Sequence, residues 1–362
     1  MKKINVSLGA GRAKGYTIYV GSGVIGQLGQ LFDFAKYSKL FIVTDQAVKP
    51  LLLAKLTEAL PVKADHLAIE VGENQKAIEN VLAVWRAMHA AGCDRKSLVI
   101  NLGGGVIGDL GGFAAATYMR GVDFLNLPTS LLAQVDASVG GKTGFNFDGI
   151  KNLVGTFDQP IGVVIDTQVL AGLPQRQLLS GFAEIIKHGL IADKAYFERV
   201  TAKPPRAFTP DELADIIAGS CRIKAAIVQS DETERGERKL LNFGHTVGHA
   251  VEALSLATAR PLLHGEAISV GLLAEATISE RLGMIDAAAS QQIKQALQQA
   301  ELPTTYEADV DEVLKKMRSD KKTEAGQLNF TLLSGIGQAL YNQPVTELIV
   351  IEALQTVLRP SQ

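Results

Sequence analysis

Among 362 residues there are only two cysteines, Cys93 and Cys221. They stand far apart, so no disulfide framework can run through them, and the expectation is two buried free thiols in a reducing cytoplasm. Net charge is also nearly absent. Lys+Arg number 36 against Asp+Glu 38, a formal balance of -2, which excludes the broad basic field that draws nucleic acid or anionic membranes. A small anionic ligand needs only local positive charge. No apolar run approaches the ~20 residues of a membrane helix. The opening "MKKINVSLGAGRAKG" meets Gly9, Gly11, Arg12 and Lys14 where a signal peptide needs a continuous apolar stretch, so none is expected. Internal repeats and low-complexity tracts are missing too, since "QQIKQALQQA" keeps helical spacing.

What is there is core-forming material: 47% hydrophobic and 20% charged residues, enough for a sizeable core and, at this length, two domains. Up to about residue 173, apolar β-branched runs alternate with helical patterns, the signature of βαβ units around a mainly parallel sheet. The strands are expected at 39–44, 66–71, 97–102, 123–127 and 162–166, preceded by an amphipathic hairpin or edge pair, "INVSL" and "YTIYV". Helices are expected at 48–60 and 75–91, where Val81, Val84, Trp85 and Met88 form a core stripe. After Leu173-Pro174 long helical patterns take over, roughly 175–190, 210–230, 245–256, 265–282, 287–300 and 345–358, with one short strand near "LNFTLL". The expected fold is therefore a Rossmann-like α/β domain over 1–173 followed by an all-α domain over 174–362, with the active site in the cleft between them.

Two motifs carry chemistry. In "INLGGGVIGDLGG", Gly103, Gly105 and Gly108 fit G-x-G-x-x-G in a strand-to-helix turn. Glycines there permit close backbone approach, and the helix start offers N–H groups and a positive dipole end to a pyrophosphate. The usual fingerprint, however, follows the first strand and has an acid ~20 residues on, whereas here a later strand leads in and the nearest acid is Asp109. A dinucleotide cradle and a merely tight turn both remain open.

The second motif is a cluster of metal-ligand residue types. Glu184, Lys187 and His188 fall at i, i+3 and i+4 of one helix, "LNFGHTVGHA" sets His245 and His249 one turn apart, and "LLHGEA" adds His264. A Glu and two His suit a catalytic zinc site with one open position. Spacing alone favours His245 with His249 as the gripping pair. Core or surface histidines are the alternative, weakened because four of the six histidines lie in these three stretches.

Taken in order, "GGGVIGDLGGFAAATYMRG", "LPTSLLAQVDASVGGKTGFN", "KNLVGTF", "GFAEIIKHGL", "LNFGHTVGHA", "HGEA" and "DKK" resemble the 3-dehydroquinate synthases over most of the chain. These are sugar-phosphate cyclases related to the iron-containing alcohol and glycerol dehydrogenases. The resemblance implies that the glycine stretch binds NAD through Gly104, Gly105, Val106, Ile107, Gly108 and Asp109. Further cofactor contacts would fall on Asp45, Glu73, Lys76, Thr129, Ser130, Asp136, Lys142 and Lys151. It also implies Zn²⁺ or Co²⁺ on Glu184, His245 and His264, which moves His249 to the substrate side. Substrate contacts map to Lys142, Asn152, Lys187, Lys224, Arg238, Asn242 and His249, with Glu234 near the reacting centre. Arg120 matches an arginine that reaches the partner's site in a homodimer, and Lys322 or its neighbour Lys321 matches a phosphate contact.

The implied reaction is that of a carbon–oxygen lyase of the shikimate pathway to aromatic amino acids. It turns a phosphorylated keto acid, 3-deoxy-D-arabino-heptulosonate 7-phosphate, into 3-dehydroquinate and phosphate, with NAD regenerated in each turnover. The chain departs from the family where Val71 precedes Gly72-Glu73 and at Val169 and Gly172, all on the cofactor side. Rival readings are another sugar-phosphate cyclase, a metal-dependent polyol dehydrogenase that would release NADH, and a catalytically dead binding module.

Overall fold

The computed structural model describes residues 1–8, 15–319, 323–324 and 327–359. The chain forms two compact units, Met1–Pro174 with Pro210–Gln229, and Gln175–Thr209 with Ser230–Gln362.

Among the described residues the first unit is built on nine strands: β1 (Lys2–Ser7), β2 (Gly15–Gly21), β3 (Leu40–Asp45), β4 (Ala64–Ile69), β5 (Leu98–Gly103), β6 (Asp123–Pro128), β7 (Lys142–Phe147), β8 (Ile150–Phe157) and β9 (Gly162–Asp166). Seven of these make one sheet in the order β1-β2-β9-β6-β5-β3-β4. All its pairings are parallel except β1 with β2, which are antiparallel with Ile4 opposite Ile18. β5 is buried at every position, as a central parallel strand covered on both faces must be. Its residues alternate between two cores: Val99 joins Phe41, Val43, Ile107 and Leu110, while Leu98 and Ile100 join Leu40, Ile42 and Leu127. Each such side chain contributes on the order of 1.5–3 kcal/mol on burial.

The helices of this unit are α1 (Leu28–Leu31), α2 (Ala54–Ala59), α3 (Ile78–Ala90) and α4 (Gly105–Thr117). The segment expected as a helix over 48–60 begins as a π-helical turn, Lys49–Leu53, before α2. The remaining two strands, β7 and β8, form an antiparallel hairpin outside the sheet. Periodicity did not reveal it, because "KTGFNFDGIKNLVGTF" is broken by glycines and polar residues.

The second unit carries α5 (Gln175–Ala192) and α6 (Lys194–Val200); the chain then runs through α7 (Pro210–Ser230), most of which belongs to the first unit. Then come α8 (His245–Ser255), α9 (His264–Arg281), α10 (Ala287–Gln299), α11 (Val310–Ser319) and α12 (Glu347–Val357). Short strands β10 (Tyr306–Glu307) and β14 (Leu358–Arg359) pair in parallel. β11 (Thr323–Glu324), β12 (Gln327–Gly335) and β13 (Gln338–Pro344) form a three-stranded antiparallel sheet. The expected strand near "LNFTLL" is thus one member of a small sheet, and the unit is mainly rather than wholly helical. Among the described residues no helix is long and apolar enough to cross a membrane.

Candidate active site

In the first unit the glycine turn lies where the sheet changes direction. The chain leaves β3 outward to β4 and leaves β5 the other way to β6, so the carboxyl ends of neighbouring β3 and β5 flank a topological switch point, the ligand position in open α/β sheets. Asp45 ends β3, its Oδ1 accepting the N–H of Ala47 (2.9 Å) and Val48 (2.8 Å). Gly104 caps α4 without any side-chain hydrogen bond.

The glycines divide by what a side chain would meet. At Gly103 a Cβ would lie 2.5 Å from Ile107 Cγ1, at Gly111 2.1 Å from Asn101 Oδ1, and at Gly112 2.6 Å from Thr143 Cγ2. Those three serve packing. At Gly104 the nearest atom would be Ser130 Oγ at 3.7 Å, at Gly105 Ala137 Cβ at 3.4 Å, and at Gly108 nothing within 4 Å. These leave open backbone surface at the start of α4, a cradle that suits an anionic cofactor.

Charged groups gather in the same unit. Buried Lys76 pairs with Asp109 of α4; burial raises the Asp109 carboxyl, with Lys76 opposing. Lys224 of α7 donates to Asp136 Oδ1 and to its carbonyl oxygen, both at 2.6 Å. Glu73 Oε1 accepts from Asn146 Nδ2 (3.0 Å), and Asn146 Oδ1 accepts the N–H of Asn152 (2.9 Å). Lys142, Lys151 and Asn152 are exposed on the hairpin, and Thr129 and Ser130 follow β6. Val106 and Ile107 lie in the first turn of α4, with Ile107 in the core.

In the second unit Glu184 of α5, His245 of α8 and His264 of α9 each offer a donor atom, all within 4.8 Å of one another. Glu184 is fully buried. Its Oε1 faces His245 Nε2 at 3.5 Å and His264 Nε2 at 3.4 Å, while its Oε2 pairs with buried Lys187. Both imidazoles are backed on the opposite nitrogen. His245 Nδ1 donates to the Phe243 carbonyl at 3.1 Å, and His264 Nδ1 lies 3.4 Å from Glu252 Oε2. Such outer partners fix the tautomer that turns Nε2 toward a cation. Burial tends to raise the Glu184 carboxyl, but Lys187, His264 and His188 outweigh it and hold it well below the ordinary range. Burial lowers His264, yet Glu184 and Glu252 together push it up to about 10.

His249 stands beside this set, its ring 5.1 Å from that of His245 and 5.9 Å from that of His264. It groups with Glu252 and His264 rather than with Glu184. The i, i+4 spacing that favours His245 with His249 misses this, because the third donor comes from another helix.

The loop before α8 holds three more candidates. Asp231 accepts the N–H of Arg235 (3.0 Å), Gly236 (2.6 Å) and Arg238 (3.1 Å). Burial would raise its carboxyl, but these hydrogen bonds and the Arg238 charge hold it below the usual value. Arg238 is buried and donates to the Glu232 carbonyl. Asn242 Nδ2 donates to Glu234 Oε1 at 2.8 Å. Among the described residues seven non-glycines have positive φ, and Arg120 (72°), Asn152 (53°) and Glu234 (61°) are three of them. That conformation costs about 1–2 kcal/mol per residue and persists where surroundings hold it, commonly at functional sites. Arg120 is exposed. Lys321 and Lys322 lie outside the described residues. Sequence reasoning missed Asp231, Glu252 and Glu275; acids inside otherwise apolar helical stretches, as in "AVEALS" and "LLAEATIS", were the available signal for the last two.

Comparison with known proteins completes the picture. Residues 66–180 match the 3-dehydroquinate synthase N-terminal family and residues 181–323 the 3-dehydroquinate synthase C-terminal family. The chain is 42% identical to a 3-dehydroquinate synthase of Nitrobacter winogradskyi, over 97% of this chain and 94% of that one. Its fold resembles 2-deoxy-scyllo-inosose synthase, solved with carbaglucose-6-phosphate, NAD⁺ and Co²⁺, at a TM-score of 0.88 and 24% identity over 99% and 100% of the two chains. It also resembles the 2-epi-5-epi-valiolone synthase of Streptomyces hygroscopicus subsp. jinggangensis, solved with NAD⁺ and Zn²⁺, at a TM-score of 0.86 and 27% identity over 96% and 98%. Matched in both halves and aligned with a curated relative almost end to end, the chain belongs to the 3-dehydroquinate synthase family.

Proposed function

We propose that this chain converts 3-deoxy-D-arabino-heptulosonate 7-phosphate into 3-dehydroquinate and inorganic phosphate, as a cytoplasmic homodimer that uses NAD catalytically. The observation that carries the reading is the donor set of Glu184, His245 and His264, drawn from three helices to within 4.8 Å. A carboxylate and two Nε2-directed imidazoles suit Zn²⁺ or Co²⁺ with room left for substrate. A divalent cation held there supplies Lewis acidity to substrate oxygens, and NAD held over Gly104, Gly105 and Gly108 supplies reversible hydride transfer.

The chain's own residues bind and orient. Lys187, already against Glu184, presents an ammonium beside the metal position. Asn242 and His249 provide hydrogen bonds of the kind a phosphate accepts, and Lys142 and Asn152 are assigned to the same group. Arg238 is assigned to the carboxylate, for which a guanidinium offers a bidentate match. The resemblance also maps Lys224 to the substrate. In the structure Lys224 donates to Asp136 and the Arg238 charge acts on Asp231, so the case for a second substrate anion rests on the geometric match of the guanidinium to a carboxylate. Glu234 fixes Asn242. The first unit is the cofactor domain in this reading and the second the metal and substrate domain. Arg120, exposed and at positive φ, is assigned to the partner subunit's site.

The test is a phosphate-release assay over a panel of sugar phosphates with NAD present. The keto acid phosphate should release phosphate without net NADH, and chelation should stop turnover until Zn²⁺ or Co²⁺ is returned. NADH accumulating in step with product would assign a dehydrogenase instead. Equal turnover of glucose 6-phosphate or sedoheptulose 7-phosphate would assign another cyclase.

A further inference from the structure

We infer that Glu275 is the positioning residue for His245, an inference resting on the reading of Glu184, His245 and His264 as metal ligands. Glu275 lies in the middle of α9 and is fully buried. Its carboxylate spans the first turn of α8. Oε2 accepts the N–H of Gly244 at 2.6 Å, and Oε1 accepts those of Thr246 at 3.0 Å and Val247 at 3.2 Å. The backbone on both sides of His245 is therefore pinned by one side chain. With the Phe243 carbonyl accepting from His245 Nδ1, both the ring and the peptide units beside it are fixed.

A helix is ordinarily capped by a Ser, Thr, Asp or Asn at its own N-cap. Here the N-cap is Gly244, at φ 81°, and the reason is α9. A Cβ on Gly244 would lie 2.7 Å from Leu272 Cδ2 and 3.0 Å from the Leu272 nitrogen. From the other side, a Cβ on Gly271 would lie 2.0 Å from the Gly244 carbonyl oxygen. The two helices approach too closely for a local cap, so the cap comes from the neighbouring helix. That helix begins with His264. One carboxylate thus ties the backbone of one metal ligand to the helix that carries another. Distances between ligands decide metal affinity, so the link sets the site and does more than stabilise the fold.

Glu275→Gln separates the two roles. The amide oxygen can still accept from Thr246 and Val247, but its NH₂ would face the Gly244 N–H, donor against donor. In the full-length protein, competition against a chromophoric chelator should show one tight Zn²⁺ in the unaltered chain. Affinity in Glu275→Gln should be lower by about 10- to 100-fold, the range for outer partners of metal ligands. The visible bands of the Co²⁺ form should shift. Leu297→Ala, a buried position in α10, should lower Tm yet leave Zn²⁺ affinity and the Co²⁺ spectrum unchanged. Glu275→Asp keeps the charge but is one methylene shorter; it should weaken the metal as well, and serves if the glutamine variant does not fold.

A folded Glu275→Gln or Glu275→Asp with unaltered affinity and spectrum overturns the inference, as does an equal loss in Leu297→Ala. His245→Ala and Glu184→Ala test the underlying reading separately. If Zn²⁺ binding survives both, the metal assignment itself is wrong and the role given to Glu275 falls with it.

Discussion

Gly105→Ala should move stability and cofactor affinity in opposite directions. Gly105 is the first residue of α4 and does not need positive φ, so alanine there limits the unfolded chain and adds about 0.4–1 kcal/mol of stability. The new methyl would meet Ala137 Cβ at 3.4 Å, an ordinary contact. For a unit of this size, Tm should rise by about 1–4 °C. The same methyl stands on the open face of the turn where we place the NAD pyrophosphate. Forcing a methyl into a close-packed contact costs about 1–3 kcal/mol, so the NAD dissociation constant should rise by about 5- to 150-fold. Gly103→Ala, two residues earlier, is the control. Its Cβ would lie 2.5 Å from Ile107 Cγ1 and 2.6 Å from Ile107 Cβ, so it should lower Tm by overpacking the core. Calorimetry supplies both readouts, a thermal scan for Tm and a titration for NAD. If Gly105→Ala binds NAD as the unaltered protein does, the open glycines are not a cofactor cradle and the reasoning fails.

Other expectations follow from the same geometry. Arg238→Ala should cut kcat/KM for the keto acid phosphate by roughly two orders of magnitude, the size of one lost charged contact; steady-state kinetics showing less than a fivefold change would remove Arg238 from the substrate site. Mixing Arg120→Ala with Glu184→Ala protein should recover part of the activity if subunits share sites, and no recovery despite proven subunit exchange would refute a shared site. Burial pushes the Cys221 thiol up to about 12, whereas an unfolded thiol ionises near ~8.5. The folded state thus resists ionisation, so this group's contribution falls as pH rises above the unfolded value, and a thiol reagent at pH 8 should label Cys221 only on unfolding. Rapid native labelling would contradict the burial of its Sγ, which donates to the Gln134 carbonyl at 3.3 Å.

Much of the architecture was legible because it rests on local pattern. The parallel strands, from Leu40–Asp45 to Gly162–Asp166, were expected within about two residues, since runs such as "GVVID" must be buried on both faces. The helices Pro210–Ser230 and His264–Arg281 declared themselves by spacing, and the ordered motifs declared the family. The strand at Gln327–Gly335 was expected near "LNFTLL", but its partner Gln338–Pro344 and the hairpin of β7 and β8 were not, because their glycine and polar content breaks the period-2 signal.

The chain by itself determined which residue types were available: six histidines with four in three stretches, and a glycine-rich turn after an apolar strand. Tertiary structure decided how they combine. Spacing along one helix pairs His245 with His249, but a metal site needs donors converging from different directions, and only the packing of α5, α8 and α9 brings Glu184 and His264 to His245. G-x-G-x-x-G likewise groups Gly103 with Gly105 and Gly108, whereas in space Gly103 is filled by Ile107 and the others stay open. The acid that holds α8 in place, Glu275, lies 31 residues from Gly244 in sequence. Sequence spacing specifies a side chain's direction only within its own element; distances between elements are set by packing, and chemistry depends on those distances.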